Sequence, residues 1–78
     1  MSDIKADRII DCRGLNCPLP ILKTKKAIDA MNSGEILKMV STDPGSKSDI
    51  TAWTNRTGNE LLEAGQDGDE YTYYIRKK

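Results

Sequence analysis

Seventy-eight residues with twelve acidic and twelve basic side chains make one small domain, without the charge excess that draws a chain to nucleic acid or an anionic membrane. The absence of His excludes Cys–His general-base chemistry and imidazole ligation, and two thiols alone make a poor zinc site, so neither metal nor cofactor is expected. No apolar run approaches the roughly 20 residues of a membrane span, residues 1–8 are polar and charged, and two cysteines suit a reducing compartment, which points to a cytoplasmic protein.

In chain order, residues 7–12 read as a short extended segment, preceded by a flexible N-terminus over 1–7. Residues 21–31 carry apolar side chains at helical spacing, and Asn32-Ser33-Gly34-Glu35 stops that helix. Residues 35–42 alternate imperfectly and are rich in apolar side chains, as a strand buried on at least one face requires. Asp43-Pro44 opens a second helix, because Asp is a preferred N-cap and Pro suits the first turn. Ile50, Trp53, Thr54 and Thr57 follow at helical spacing, and Gly58 is suited to end the helix in the left-handed conformation. Residues 59–64 are expected as a third strand despite the helical propensity of Glu60-Leu61-Leu62-Glu63-Ala64. Asp67-Gly68 suits a hairpin turn, and Glu70–Arg76 closes the chain as an aromatic, β-branched strand.

The order is β-α-β-α-β-β across a single domain, residues 1–78. Two helices in so short a chain cannot cover both faces of four strands, so a two-layer α+β sandwich is expected, with a mixed sheet and both helices on one face. The expected core is Ile9, Ile21, Ile28, Met31, Ile36, Met39, Ile50, Trp53, Leu61, Tyr73 and Ile75.

The chemistry concentrates in Leu15-Asn16-Cys17-Pro18-Leu19-Pro20. Proline is favoured at the start of a helix, where its missing N–H has no partner to lose. Cys17 is therefore expected beside the N-cap of the first helix, facing free N–H groups and the positive end of the dipole. Such a place favours the thiolate, the nucleophilic form of cysteine, and Arg13 or Lys23 would add a nearby cation. Gly14 would supply the bend before the motif, and Pro18 and Pro20 would set its first turn. Leu15, Leu19 and Ile21 are candidates for an apolar docking rim or for ordinary packing. Trp53 reads as a core or rim anchor. Asp43 reads as a cap, and Asp49 as part of an exposed helical face.

The run Asp11-Cys12-Arg13-Gly14-Leu15-Asn16-Cys17-Pro18-Leu19-Pro20 resembles the signature of the TusA/SirA-like sulfur-carrier family, Cys-Pro-x-Pro after a Gly-Leu turn. The resemblance extends through Lys25-Lys26-Ala27, Met31, Gly34-Glu35, Asp43-Pro44, Asp49-Ile50, Gly58-Asn59-Glu60-Leu61 and Tyr74-Ile75-Arg76-Lys77. It implies the same two-layer fold and a persulfide carried on Cys17. A cysteine desulfurase or rhodanese-type donor would load it, and an acceptor protein in tRNA thiolation, cofactor sulfuration or sulfur metabolism would unload it. Members often have Pro where this chain has Ser33, and many have Ala at Cys12. Lys26 and Arg76 recur in the family pattern and, with Arg13, Leu19 and Lys23, are candidate partner contacts on a chain expected to be monomeric.

Two other readings compete. Cys12 would be the second thiol of a dithiol redox protein, resolving a persulfide on Cys17 into a disulfide; the plainer reading makes it a small buried residue. A nucleic-acid-binding or regulatory module would use Lys23, Lys25, Lys26 and the Arg76-Lys77-Lys78 tail, but zero net charge argues against direct nucleic-acid binding.

Overall fold

The computed structural model describes residues 4–78. In chain order it runs β1 (Arg8–Cys12), α1 (Leu19–Asp29), β2 (Ile36–Ser41), α2 (Ser46–Thr57), β3 (Glu60–Asp67) and β4 (Glu70–Arg76). The four strands form one sheet in the order β1-β2-β4-β3. β1 pairs parallel with β2, and the other two pairings are antiparallel. This is the expected α+β sandwich, with β1 and β3 as its edges. Residues 1–3 of the expected flexible segment lie outside the described residues. Asp7, at its end, donates its N–H to Ile36 O at 2.7 Å and accepts the Ile36 N–H on its carboxylate at 2.8 Å.

Strand periodicity decides which side chains reach the helices. Successive strand residues point to opposite faces, and β2 alternates half-covered and buried along its whole length. Leu37, Met39 and Ser41 face inward, so Ile36 cannot. The same rule corrects β1, where Ile10 packs on the core and Cys12 is fully buried, whereas Ile9 turns to the open face and is 66% exposed. The register then lines up Ile10, Met39, Tyr73 and Ala64 in one row under the helices, and Leu37, Ile75 and Leu61 in the next. Ile21 and Leu61 are only partly buried, packed against that core.

α1 lays Thr24, Ala27 and Ile28 on the sheet, and Met31 follows in the turn beyond. α2 contributes Ser46, Ile50, Trp53 and Thr54 at positions i, i+4, i+7 and i+8, one helical face. Truncating a side chain as enclosed as Ile50 costs about 2–5 kcal/mol. The polar groups brought inside are all bonded: Thr24 Oγ1 donates to Pro20 O at 2.7 Å, Thr54 Oγ1 to Ile50 O at 2.9 Å, and the Ser46 and Tyr73 hydroxyls meet at 2.7 Å. The last bond pins the start of α2 to the centre of β4. Gly58 ends α2 at φ +81°, a conformation only glycine takes without strain, and donates its N–H to Thr54 O at 3.0 Å.

β3 runs three residues beyond the strand expected over 59–64, because its partner is near in sequence: Asp67 faces Glu70 across a two-residue Gly68-Asp69 turn. The turn is centred one residue later than the expected Asp67-Gly68. A register shift between Leu61 and Glu63 absorbs one residue of β3.

Candidate functional site

Residues 13–18 connect β1 to α1 as a loop held from two sides. Gly14 makes the bend at φ +79°, with Leu15 N–H returning to Cys12 O at 3.2 Å. The loop after β2 then grips it, as Gly14 N–H donates to Thr42 Oγ1 at 2.9 Å and Cys17 N–H to Asp43 Oδ2 at 3.1 Å. The other carboxylate oxygen of Asp43 accepts from Gly45 N–H at 3.1 Å, and Ser46 N–H donates to Asp43 O at 3.0 Å. Asp43 thus ties the turn leading into α2 to the backbone of Cys17, a wider role than the expected cap; Gly45 takes the N-cap position itself.

Cys17 is exposed and free, and its peptide bond to Pro18 is cis. It lies just before the N-cap of α1, which is Pro18. The four residues that would offer free N–H groups there are Pro18, Leu19, Pro20 and Ile21. Two are prolines, and Leu19 gives its N–H to Asn16 O at 2.9 Å. The expected cluster of free donors around the thiol is therefore reduced to Ile21, because the prolines that start the helix also remove its donors.

The neighbour with the largest influence on the thiol is on α2. Cys17 lines an open depression of about 220 Å³ with Pro18, Ile21, Asp49, Ala52, Trp53 and Arg56. Asp49 shares this depression with the thiol, and the pull of its carboxylate on the thiol proton, then desolvation, then the negative charges of Asp49 and Asp43, push the thiol pKa up. The direction is opposite to the depression expected from the motif, because carboxylates and desolvation act on the thiol. Arg13 and Lys23 supply no cation here. Arg13 is bonded to Asp11 at 2.9 Å and lies 3.6 Å from Glu70, and the Arg13 bonds hold the Asp11 carboxyl at about 2. Lys23 Nζ donates to Asp11 O at 3.2 Å, and its charge acts on Cys12. Asp49 and Arg56 are the site residues missed in the sequence. Their signal was helical spacing, since 49, 52, 53 and 56 form one face of α2.

The other expected site residues scatter. Cys12 is fully buried, and burial pushes its pKa up. Leu15 packs against the core, and Leu19 is 47% exposed beside Leu22, which is 54% exposed. Lys26 lies along a different groove, between α1 and β1. Arg76 is paired with Glu60, and Lys77 Nζ donates to Met31 O at 2.6 Å, so the basic tail is largely engaged in the fold. Among the described residues no helix is long and apolar enough to cross a membrane, and no cluster of His, Cys, Asp and Glu would hold a metal ion.

Comparison with known proteins places this arrangement. Residues 8–77 match the family described as sulfurtransferase TusA, and the chain belongs to that family. It is 48% identical over 71 residues to the sulfur carrier protein TusA of Allochromatium vinosum, covering 91% of this chain and 93% of that one. It is 45% identical over 74 residues to the putative sulfur carrier protein YrkI of Bacillus subtilis, covering 95% and 99%. The crystal structure of a SirA-like protein from Desulfitobacterium hafniense superposes with a TM-score of 0.77 at 21% identity, over 88% of this chain and 95% of that one, which establishes the shared fold.

Proposed function

We propose that this member of the TusA family is a sulfur carrier whose cargo is a persulfide on Cys17. The observation that carries the reading is the placement of Cys17: a free, exposed thiol at the head of α1, in an open depression, in a chain of this family. An acceptor of sulfur must be reachable by a bulky donor, and this thiol is.

The transfer needs no oxidant. The Cys17 sulfur attacks the outer sulfur of a donor persulfide, the donor S–S bond breaks, and the donor leaves as a thiolate. The Cys17 proton is released as its sulfur attacks, and a proton finally rests on the departing donor thiol. The reverse exchange delivers the sulfur to an acceptor. Because the carboxylate favours the neutral thiol, the empty carrier rests protonated, and Asp49 restrains the thiol. The fitting partners are a donor protein that presents a persulfide, such as a cysteine desulfurase or rhodanese-like protein, and an acceptor thiol protein. The carrier acts as a monomer, and two free thiols suit the cytoplasm. Nothing in the placement of Cys12 favours a dithiol mechanism, because a fully buried sulfur cannot reach an incoming persulfide without local unfolding.

The test is the intact mass of the reduced protein after exposure to inorganic polysulfide. Wild type and Cys12→Ala gain sulfur that dithiothreitol removes; Cys17→Ser gains none. Equal loading of Cys17→Ser, or a loss of two hydrogens in place of a gain, would overturn the assignment.

A further inference from the structure

A second concave surface lies away from the thiol. Between α1 and the edge strand β1 runs a groove of about 350 Å³ lined by Arg8, Ile10, Lys23, Lys26, Ala27 and Ala30. Its floor is apolar, from Ile10, Ala27 and Ala30. Its rim is wholly basic. Among the described residues neither Arg8 nor Lys26 meets a carboxylate, while the neighbouring Lys25 is paired with Asp29 at 2.9 Å and turned to that use. In a chain of zero net charge such a cationic rim is balanced elsewhere: Glu60, Glu63 and Asp67 lie on β3, the opposite edge of the sheet.

The strand that walls the groove has a neighbour on one side only, β2. The backbone groups of such an edge accept an added strand, with alternate side chains pointing into whatever groove lies beneath. We propose that this groove docks an extended acidic segment of a partner protein, laid along the free edge of β1 with its acidic side chains between Arg8, Lys23 and Lys26 and its small apolar side chains on Ala27 and Ala30. Charge complementarity commits the site to an acidic occupant, and the strand edge commits it to an extended one.

The position has a functional consequence, resting on the sulfur-carrier reading. α1 begins two residues after Cys17, and Lys26 lies seven residues beyond its first residue, Leu19, about 10 Å along the helix. A partner held at the groove leaves the thiol uncovered, so one protein can grip the carrier while its own sulfur, or that of another, approaches Cys17.

The experiment titrates the full chain into a fluorescein-labelled nine-residue peptide of alternating Glu and Val, with an Arg8→Glu/Lys26→Glu variant, an N-methylated peptide and a single-stranded RNA of equal charge as comparisons. The expected result is saturable binding that falls at least tenfold in the variant and several-fold for the N-methylated peptide, with amide shifts confined to residues 8–12 and 22–30. Absence of binding, insensitivity to the charge reversal, or equally tight RNA binding overturns the proposal. So does self-association of wild type that the variant abolishes, which would assign the groove to β3 of a second copy. Polysulfide loading of Cys17 is expected to be unchanged in the variant, so failure of the groove and failure of the carrier reading are told apart.

Discussion

The thiol at the end of β1 and the thiol at the head of α1 are both held toward the neutral form, by unlike means. Cys12 is enclosed by the core, and loss of hydration is the main cause that raises its pKa. Cys17 faces solvent, and a carboxylate on another helix raises its pKa. The first condition can be changed only by opening the fold. The second changes whenever a partner displaces, neutralises or screens Asp49. A protonated thiol is therefore inert in one place and merely restrained in the other, which is what a carrier that must wait for its donor requires.

The largest contrast is in access. Iodoacetamide should modify Cys17 in the native protein about 10³-fold faster or more than Cys12, because Cys12 must await an opening that costs several kcal/mol. Mass spectrometry of timed digests measures both rates, and comparable rates would dissolve the distinction.

Stability separates the two next. Cys12→Ser puts a hydroxyl where the structure buries a sulfur and should lower unfolding free energy by about 1–3 kcal/mol in urea melts, whereas Cys17→Ser should leave the melt nearly unchanged. The raised pKa of Cys12 also has a definite sign. Its stabilisation is complete below the ordinary thiol value and is lost as pH rises through the raised one. Cys12→Ala should therefore be less sensitive to alkali than wild type, measured by melts above pH 8.

A third change tests the electrostatics directly. Asp49→Asn removes the carboxylate that favours the neutral thiol, so the Cys17 pKa should fall and alkylation at neutral pH should quicken several-fold. If the rate–pH curve does not move, Asp49 is not the group that restrains the thiol. Loading from polysulfide should shift along the same pH axis, which separates an electrostatic role from a structural one.

The smallest effect belongs to Asp11, the carboxylate immediately before Cys12 in sequence. Its carboxyl is held at about 2 by Arg13, so its contribution is present above the ordinary Asp value and is lost as pH falls through about 2. In Asp11→Asn, melts between pH 2 and 5 should flatten slightly, while Cys17 loading at neutral pH stays as in wild type.

Much of this molecule is legible along the chain, because the interactions that make it are local. The turn at Gly14, the proline-led start of α1, the glycine end of α2 and the apolar spacing of both helices each depend on residues within a few positions, and together they name the element order and single out Cys17 as the proposed carrier. The faces of the strands were less legible. Ile9 and Ile10, like Ile36 and Leu37, are adjacent and equally apolar, and only pairing with the neighbouring strand selects which of each pair meets the helices.

The environment of Cys17 was not legible at all. Read alone, the motif predicts a thiol activated by a helix terminus. In the fold, Asp43 and Asp49 reach it from 26 and 32 positions away, and the intended cations turn elsewhere, Arg13 to Asp11 and Glu70, Lys23 to the Asp11 carbonyl. Sequence alone singled out the atom proposed to carry the sulfur, since that choice rests on residue type and neighbouring prolines. Tertiary structure alone decided the charge that surrounds it, since electrostatic energy follows distance through space and is blind to separation along the chain.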